Sequence, residues 1–506
     1  MASVGLATRV LTGRAGRRLR RYRTASYDQT PVPTSRERHM LSRMGCGFSV
    51  GSFAAMRAAG GELAWFEQQL QPESVTESAV AQQVSDWFPR LQDAPTLIFH
   101  NDDTEVHRTW HYARDLANYS VLRRIYSNRT VLESMVELWS NHLHVNTRHF
   151  PGFTQRPAYD AMIRRHALGT FEELLVAATL HPAMLMFLDN WKSVRGNPNE
   201  NHGRELLELH TVGRADHTED MVKQAAKILS GWTLNHGEWA AFYDPTRHTT
   251  GAVDLLGFQS TNAVANDPEL ARRFLRVLAH HPATAQRIAR KLAVRFVSDD
   301  PPQPLVDRLA QVFLDSGTDI KATLRALVTS EEFWASAGQK VRTPIDDVVA
   351  TCRALQVTAQ APINDDSFAS RICYAVKSVQ VFQWPRPDGP PDHAVSWATT
   401  TRMLNSWQAH WGLAGGWYPK GQVEYRAPAY FLPDDFPATG VPFARLVDHL
   451  SRVVLGRTST TRILRAACEG CDIEPTEVIT GSHALMRYKF HRLLAVLLDS
   501  PAHMTR

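Results

Sequence analysis

The chain is poor in the features that announce most protein classes. It holds five cysteines in 506 residues, a sparse and odd set that excludes a disulfide framework and fits a reducing compartment. One CxxC occurs, Cys468 and Cys471 in "AACEGCDIEP". With no second pair and no neighbouring histidine, it reads as a helix end rather than a zinc or redox motif. No apolar run is long enough to span a bilayer. Arginine pairs at Arg17-Arg18 and Arg20-Arg21 are followed by polar sequence, "YRTASYDQTPVPTSRER", where an export signal needs an apolar stretch. The expected location is therefore cytoplasmic. Acids are absent from residues 1–24, which carry seven arginines and account for the net charge of +5. The rest of the chain is close to neutral, which argues against sequence-specific nucleic-acid binding. A GxSxG elbow, a Walker A loop and a GxGxxG in a strand–helix context are all missing. No short internal repeat is found either.

What is present is helix after helix. Apolar residues make up 43% of the chain and charged residues 21%, enough to bury a core. The thirteen tryptophans suit a thick aromatic interior. Ser52 and Thr104 read as helix openings. Thr130 with Glu133, and Thr170 with Glu173, read as capping boxes. Thr218 opens a helix closed by Gly231, and Pro282 sits in a first turn. Further helices are expected near 304–315, 319–329 and 344–356. Residues 233–268 suggest a short hairpin or ordered loop, and the proline-rich "QWPRPDGPPDHAVSW" at 383–397 must be loop. The expected fold is mainly α, a large multi-helix single domain with long ordered loops and at most a minor β-hairpin. Its expected parts are a disordered basic arm (1–36), a helical domain (37–400) and a C-terminal helical extension packed on it (401–506).

Polar groups concentrate in "NENHGRELLELHTVG", residues 199–213. At about 100° per residue, Leu206, Leu207 and Leu209 form a dry face with His210 in its middle. Asn201, Arg204, Glu205 and Glu208 form a separate polar face. The same rotation puts His142 on the apolar face of the 131–146 helix beside Met135, Leu138 and Trp139, and turns His144 toward solvent or a loop. Two buried histidines admit three readings: satisfied core residues, a polar network orienting a nearby site, or metal ligands. The spacing fits neither His-Glu-x-x-His nor paired Glu-x-x-His, so metal ligands would have to come from different helices. Glu205 and Glu208 share a face and suit an acid/base couple. The plain alternative is an exposed Arg204–Glu208 ion pair.

The blocks "HMLSRMGCGFSVGSFAAM", "ELWSNHLHV", "NPNENHGRELLELHTVG", "ILSGWT" and "HHPATAQRIARKLAVRFVSDDPP" resemble the uncharacterised bacterial family called domain of unknown function 1800, from residue 38 to about 420. The resemblance brings no activity with it. Relatives tend to carry HDxGxK after the "GWT" block. Here "HTTGAV" keeps His248 and Gly251 but has Thr249 and Val253 in place of the acid and the lysine.

The expected function is an enzyme with a polar pocket between helices 131–146 and 199–212, metal-assisted or carboxylate acid/base and hydrolase-like. Its candidate catalytic residues are Glu205, Glu208 and Arg204. The binding candidates are Asn141, Asn201, Trp384 and Trp397. The metal candidates are His142 and His210, with a divalent ion as cofactor and a small molecule or polymer as ligand. The alternative is a non-catalytic binding or scaffold protein using the tryptophan-rich region 384–417.

Overall fold

The computed structural model describes residues 22–235, 237–375 and 381–506. Most of them are helical, and every sheet has two strands. Residues 1–21 of the expected basic arm lie outside the described residues. In the described remainder of that arm Tyr27 is buried and its N–H donates to Asp448 Oδ2 at 2.8 Å. No helix among the described residues is long and apolar enough to cross a membrane.

Many helix starts obey local capping. Thr170 accepts from the Glu173 N–H at 3.2 Å, Thr218 from Met221 at 3.3 Å, and the His281 ring from Ala283 at 3.2 Å. Three expected starts are corrected. Ser52 is the third helical residue behind the true cap, Ser49. Thr104 ends the helix Pro95–Asp103, and the next begins at Thr109, whose N–H is met by Asp102 Oδ1 at 2.6 Å. Thr130 makes no capping box, because Glu133 is drawn inward between Arg123 (3.0 Å) and Arg164 (2.7 Å).

Contacts divide the described residues into two units. The central unit comprises 66–235, 237–340 and 381–396. Its core centres on Trp139, Phe171 and Phe313, with ring centroids 5.7 and 5.9 Å apart along that series. Trp139 Nε1 donates to Ala167 O at 3.0 Å. Residues 233–268 hold two hairpins, Trp232–Asn235 with Ala240–Tyr243 and Val253–Leu255 with Phe258–Ser260. The proline-rich stretch is loop apart from the turn Ala394–Ser396. It seats on the end of helix Thr130–His142 through Gly389, whose φ is +68° and whose absent Cβ would collide with the Asn141 carbonyl. Only glycine tolerates both conditions.

The other unit is assembled from three stretches, 22–65, 341–375 and 397–506. The C-terminal helices therefore share a unit with N-terminal ones. Gly47, at φ +106°, lets its turn press against Ala350 of helix Pro344–Ala354. Cys468 and Cys471 lie buried and unbridged on helix Thr461–Cys471.

Candidate metal centre

Three helices of the discontinuous unit each contribute one polar side chain to a single buried spot. Helix Pro344–Ala354 begins with a proline and two acids behind the cap Thr343, a composition that suits the positive end of a helix. Asp346 turns to Arg506 at 3.0 Å, while Asp347 points inward. His410 comes from helix Thr400–Ala414 and His503 from the short helix Pro501–Met504. His410 Nε2 lies 3.2 Å from Asp347 Oδ1, and His503 Nε2 lies 3.6 Å from the same oxygen. One ligand atom from each of the three falls within 4.8 Å of the others, so the group could hold a metal ion. Bonds of about 2.1 Å at tetrahedral or octahedral angles place neighbouring donors about 3.0–3.5 Å apart; the His410–Asp347 pair at 3.2 Å, which is also a hydrogen bond, falls in that range, and the His503–Asp347 pair at 3.6 Å lies just beyond it.

The surroundings hold these side chains in place. His410 Nδ1 donates to Asp499 Oδ1 at 2.7 Å, which leaves Nε2 facing Asp347. His503 Nε2 also meets Thr351 Oγ1 at 2.9 Å, one helical turn beyond Asp347. Arg342 Nε donates to the His503 carbonyl at 2.7 Å and so fixes the short helix. Arg402, two turns before His410 on the same helix, reaches Arg342 O at 3.1 Å and Asp347 Oδ2 at 3.5 Å. Burial alone would raise the Asp347 carboxyl, but His410, His503 and Arg402 hold it well below the usual range. Burial would likewise lower His410, yet Asp347 and Asp499 push it up to about 9. His503 is driven well below the ordinary imidazole value by burial, more than Asp347 restores.

The residues singled out from sequence lie in the central unit, with the exception of Trp397. His142 and His210 are both buried and do meet: their ring centroids are 6.2 Å apart, and His142 Nε2 donates to the His210 carbonyl at 3.0 Å. Among the described residues, neither ring nitrogen of His210 or of buried His202 has a hydrogen-bond partner, nor does His142 Nδ1. Of the two surroundings expected for His144, solvent or a loop, it has the loop: it is buried, and its Nε2 donates to Trp384 O of the proline-rich stretch at 2.9 Å.

Beyond Glu205 the helix wheel still places Leu206, Leu207 and His210 inside, but its charge pairing fails. Residues Glu200–Glu205 are α-helical, but Leu206–His210 form a π-helix, whose wider turn breaks the i,i+4 neighbour rule. Arg204 accordingly pairs with Glu219 at 2.6 Å, not with Glu208, which meets Arg214 at 3.1 Å. Glu205 is half-buried, and burial followed by the neighbouring Glu208 raises its pKa. Asn201 is exposed and donates to Leu188 O at 3.3 Å, and Asn141 is half-buried under Gly389. Trp384 Nε1 donates to Asp388 at 2.9 Å, whereas Trp397 is buried in the other unit.

Residues 39–505 match a family described as "Protein of unknown function (DUF1800)". The chain belongs to the DUF1800 family. No curated protein and no solved structure matches it. The family match runs past residue 420 and takes in His503 and Asp499. In this DUF1800 chain the "HTTG" block is a clamp: His248 bonds Ser230 O at 2.8 Å and Asn262 Oδ1 at 2.7 Å. Sequence reasoning passed over Asp347, His410 and His503. The Thr-Pro-x-Asp-Asp start of one helix marked a cap, and nothing local marked the two histidines.

Proposed function

We propose that this DUF1800 protein is a metal-dependent enzyme whose divalent ion is held by Asp347, His410 and His503, with hydrolysis as its reaction class. The donor spacing of 3.2 and 3.6 Å around Asp347 Oδ1 carries this reading. Asp347, His410 and His503 would hold the ion with two imidazoles and a carboxylate, a donor set of catalytic rather than closed structural zinc sites. Bound there, the ion supplies Lewis acidity. Asp499 orients His410 and strengthens it as a ligand, the usual task of a carboxylate behind a metal-binding histidine. Arg402 faces the Oδ2 edge of Asp347 and leaves Oδ1 for the ion.

A second reading puts the chemistry in the central unit, between helix Thr130–His142 and the 199–212 stretch, with Glu205 as acid or base. The unpartnered nitrogens of buried His142, His202 and His210 favour it, since such groups in native proteins call for an unseen partner.

Metal analysis of the full chain after loading with zinc, manganese or iron separates the two. One ion per chain, lost in His410→Ala and His503→Ala but kept in His210→Phe and Glu205→Gln, supports the first. An ion lost in His210→Phe and kept in His503→Ala supports the second. Uptake of no ion by the folded protein overturns both metal readings and leaves Asp499–His410–Asp347 as a buried ion-pair network.

A further inference from the structure

The discontinuous unit holds an open cleft of about 460 Å³, within the range of about 300–1,000 Å³ usual for small-molecule sites. One wall is Asn364 and Asp366, with Arg371 of helix Phe368–Ala375. The other is the turn after helix Thr400–Ala414, with Trp417, Tyr418, Lys420 and Gln422. Backbone bonds fasten the two walls together. The Gln360 N–H donates to Gln422 O at 2.9 Å, and the Phe368 N–H to Gly421 O at 2.7 Å. Strand Thr358–Ala359 pairs with Val423–Glu424 beside them. The shape of the cleft is therefore set before any ligand arrives.

Two large rings line it in water. Trp417 is 44% and Tyr418 46% exposed. One face of the Trp417 indole lies against Gly415, where a Cβ would come within 2.6–2.8 Å of three ring atoms. Its ring centroid is 4.6 Å from that of His491 and 5.7 Å from that of Trp411. The indole is thus held in place yet stays open to solvent, a platform with nothing stacked on it.

The polar groups beside the rings have spare capacity. Arg371 Nε donates to Asp366 Oδ1 at 3.1 Å, and Asp366 Oδ2 has no partner among the described residues. Asn364 Oδ1 accepts from the Asp366 N–H at 3.0 Å, while its NH2 group has no partner, and neither has Lys420 Nζ. Gln422 Oε1 is buried without a hydrogen bond, a condition that calls for a donor. Donors and acceptors therefore stand together next to an aromatic face. A sugar ring matches this set. Each hydroxyl both donates and accepts, and the slightly positive C–H bonds on the face of the ring are attracted by the negative face of an indole. A phosphate chain fits less well, because Asp366 repels it and Arg371 is already paired with that carboxylate. A polyproline segment has no N–H to offer Asp366 or Gln422.

We infer that this cleft binds a saccharide, with one sugar ring stacked on Trp417 and its hydroxyls held by Asn364, Asp366 and Lys420. The site is separate from the Asp347 centre and stands whether or not that centre takes a metal.

The test applies the full-length protein to an array of neutral, N-acetylated and uronic-acid oligosaccharides and titrates the best of them by calorimetry. The expected result is saturable binding, weakened about tenfold in Trp417→Ala, weakened in Asn364→Ala, and unchanged in Trp110→Ala, whose indole is equally exposed in the central unit. Hydroxyl-radical footprinting of the unmutated protein should show the same oligosaccharide shielding Trp417 and Tyr418 but not Trp110, a readout that no misfolded variant can confuse. Binding to no glycan on the array overturns the inference. So does a bound glycan that leaves Trp417 unshielded or binds Trp417→Ala as tightly. Shielding of the two rings by a proline-rich peptide, with no glycan bound, overturns it as well and assigns the cleft to a peptide.

Discussion

A glutamate at the third or fourth position of a helix normally reaches back to its own cap, but Glu133 does not. Two arginines from other helices claim it in a dry interior, where charge–charge attraction outweighs one capping hydrogen bond. Removing it strands both cations, so Glu133→Ala is expected to cost about 3–5 kcal/mol, read as a shift in urea midpoint at constant slope. A change below about 1 kcal/mol would mean that Arg123 and Arg164 find solvent. Asp499 is a different case, because it touches the proposed ion only through His410. Asp499→Asn should preserve the fold yet weaken zinc binding about 10–100-fold, measurable by competition with a chelator; equal affinity would show that His410 needs no support. His142 and His210 could be placed inside from sequence because their burial follows from neighbours on the same helix. Asp347, His410 and His503 could not, since each is surrounded by its own helix's ordinary residues and gains meaning only from the other two.

At the scale of elements, the stretch 199–213 shows where periodicity stops being a guide. Helix starts were legible at Thr170, Thr218 and His281, where a nearby side chain satisfies an orphan N–H, but not at Ser49, which does the same. The π-turn at Leu206–His210 was not legible, because the same residues satisfy an α-helical pattern equally well. It moves Glu208 away from Arg204 and presents Leu209 O to Arg287. Gly203 permits the close approach of this element to helix Glu219–Leu229, for a Cβ there would sit 2.9 Å from both Ala226 N and Val222 O. Alanine gains about 1 kcal/mol in helix propensity but overpacks by about 1–3. Gly203→Ala should therefore destabilise by up to about 2 kcal/mol in chemical denaturation, and a gain in stability would show that the two helices are free to separate.

For the molecule as a whole, the buried neutral histidines set the response to acid. Burial, the largest influence on each, brings His144 to about 4 and His202 and His210 to about 3, against an ordinary 6.5. The unfolded chain binds those protons more tightly than the folded one. Their contribution is therefore complete above about pH 6.5 and is lost as pH falls toward 3–4, at up to about 1.4 kcal/mol per pH unit for each group. Denaturation midpoints measured between pH 7 and 5 should fall, and the fall should be shallower in His202→Phe. A flat profile would show that these rings keep their protons in the folded state. Sequence alone determined the helical class, the caps at Thr170 and Thr218, the loop at 383–397 and the burial of His142 and His210, because each rests on residues within a turn or two of one another. Tertiary structure decided the Asp347–His410–His503 centre and the meeting of His142 with His210. Both depend on distances between segments far apart in the chain, and those distances are set by packing rather than by any local preference.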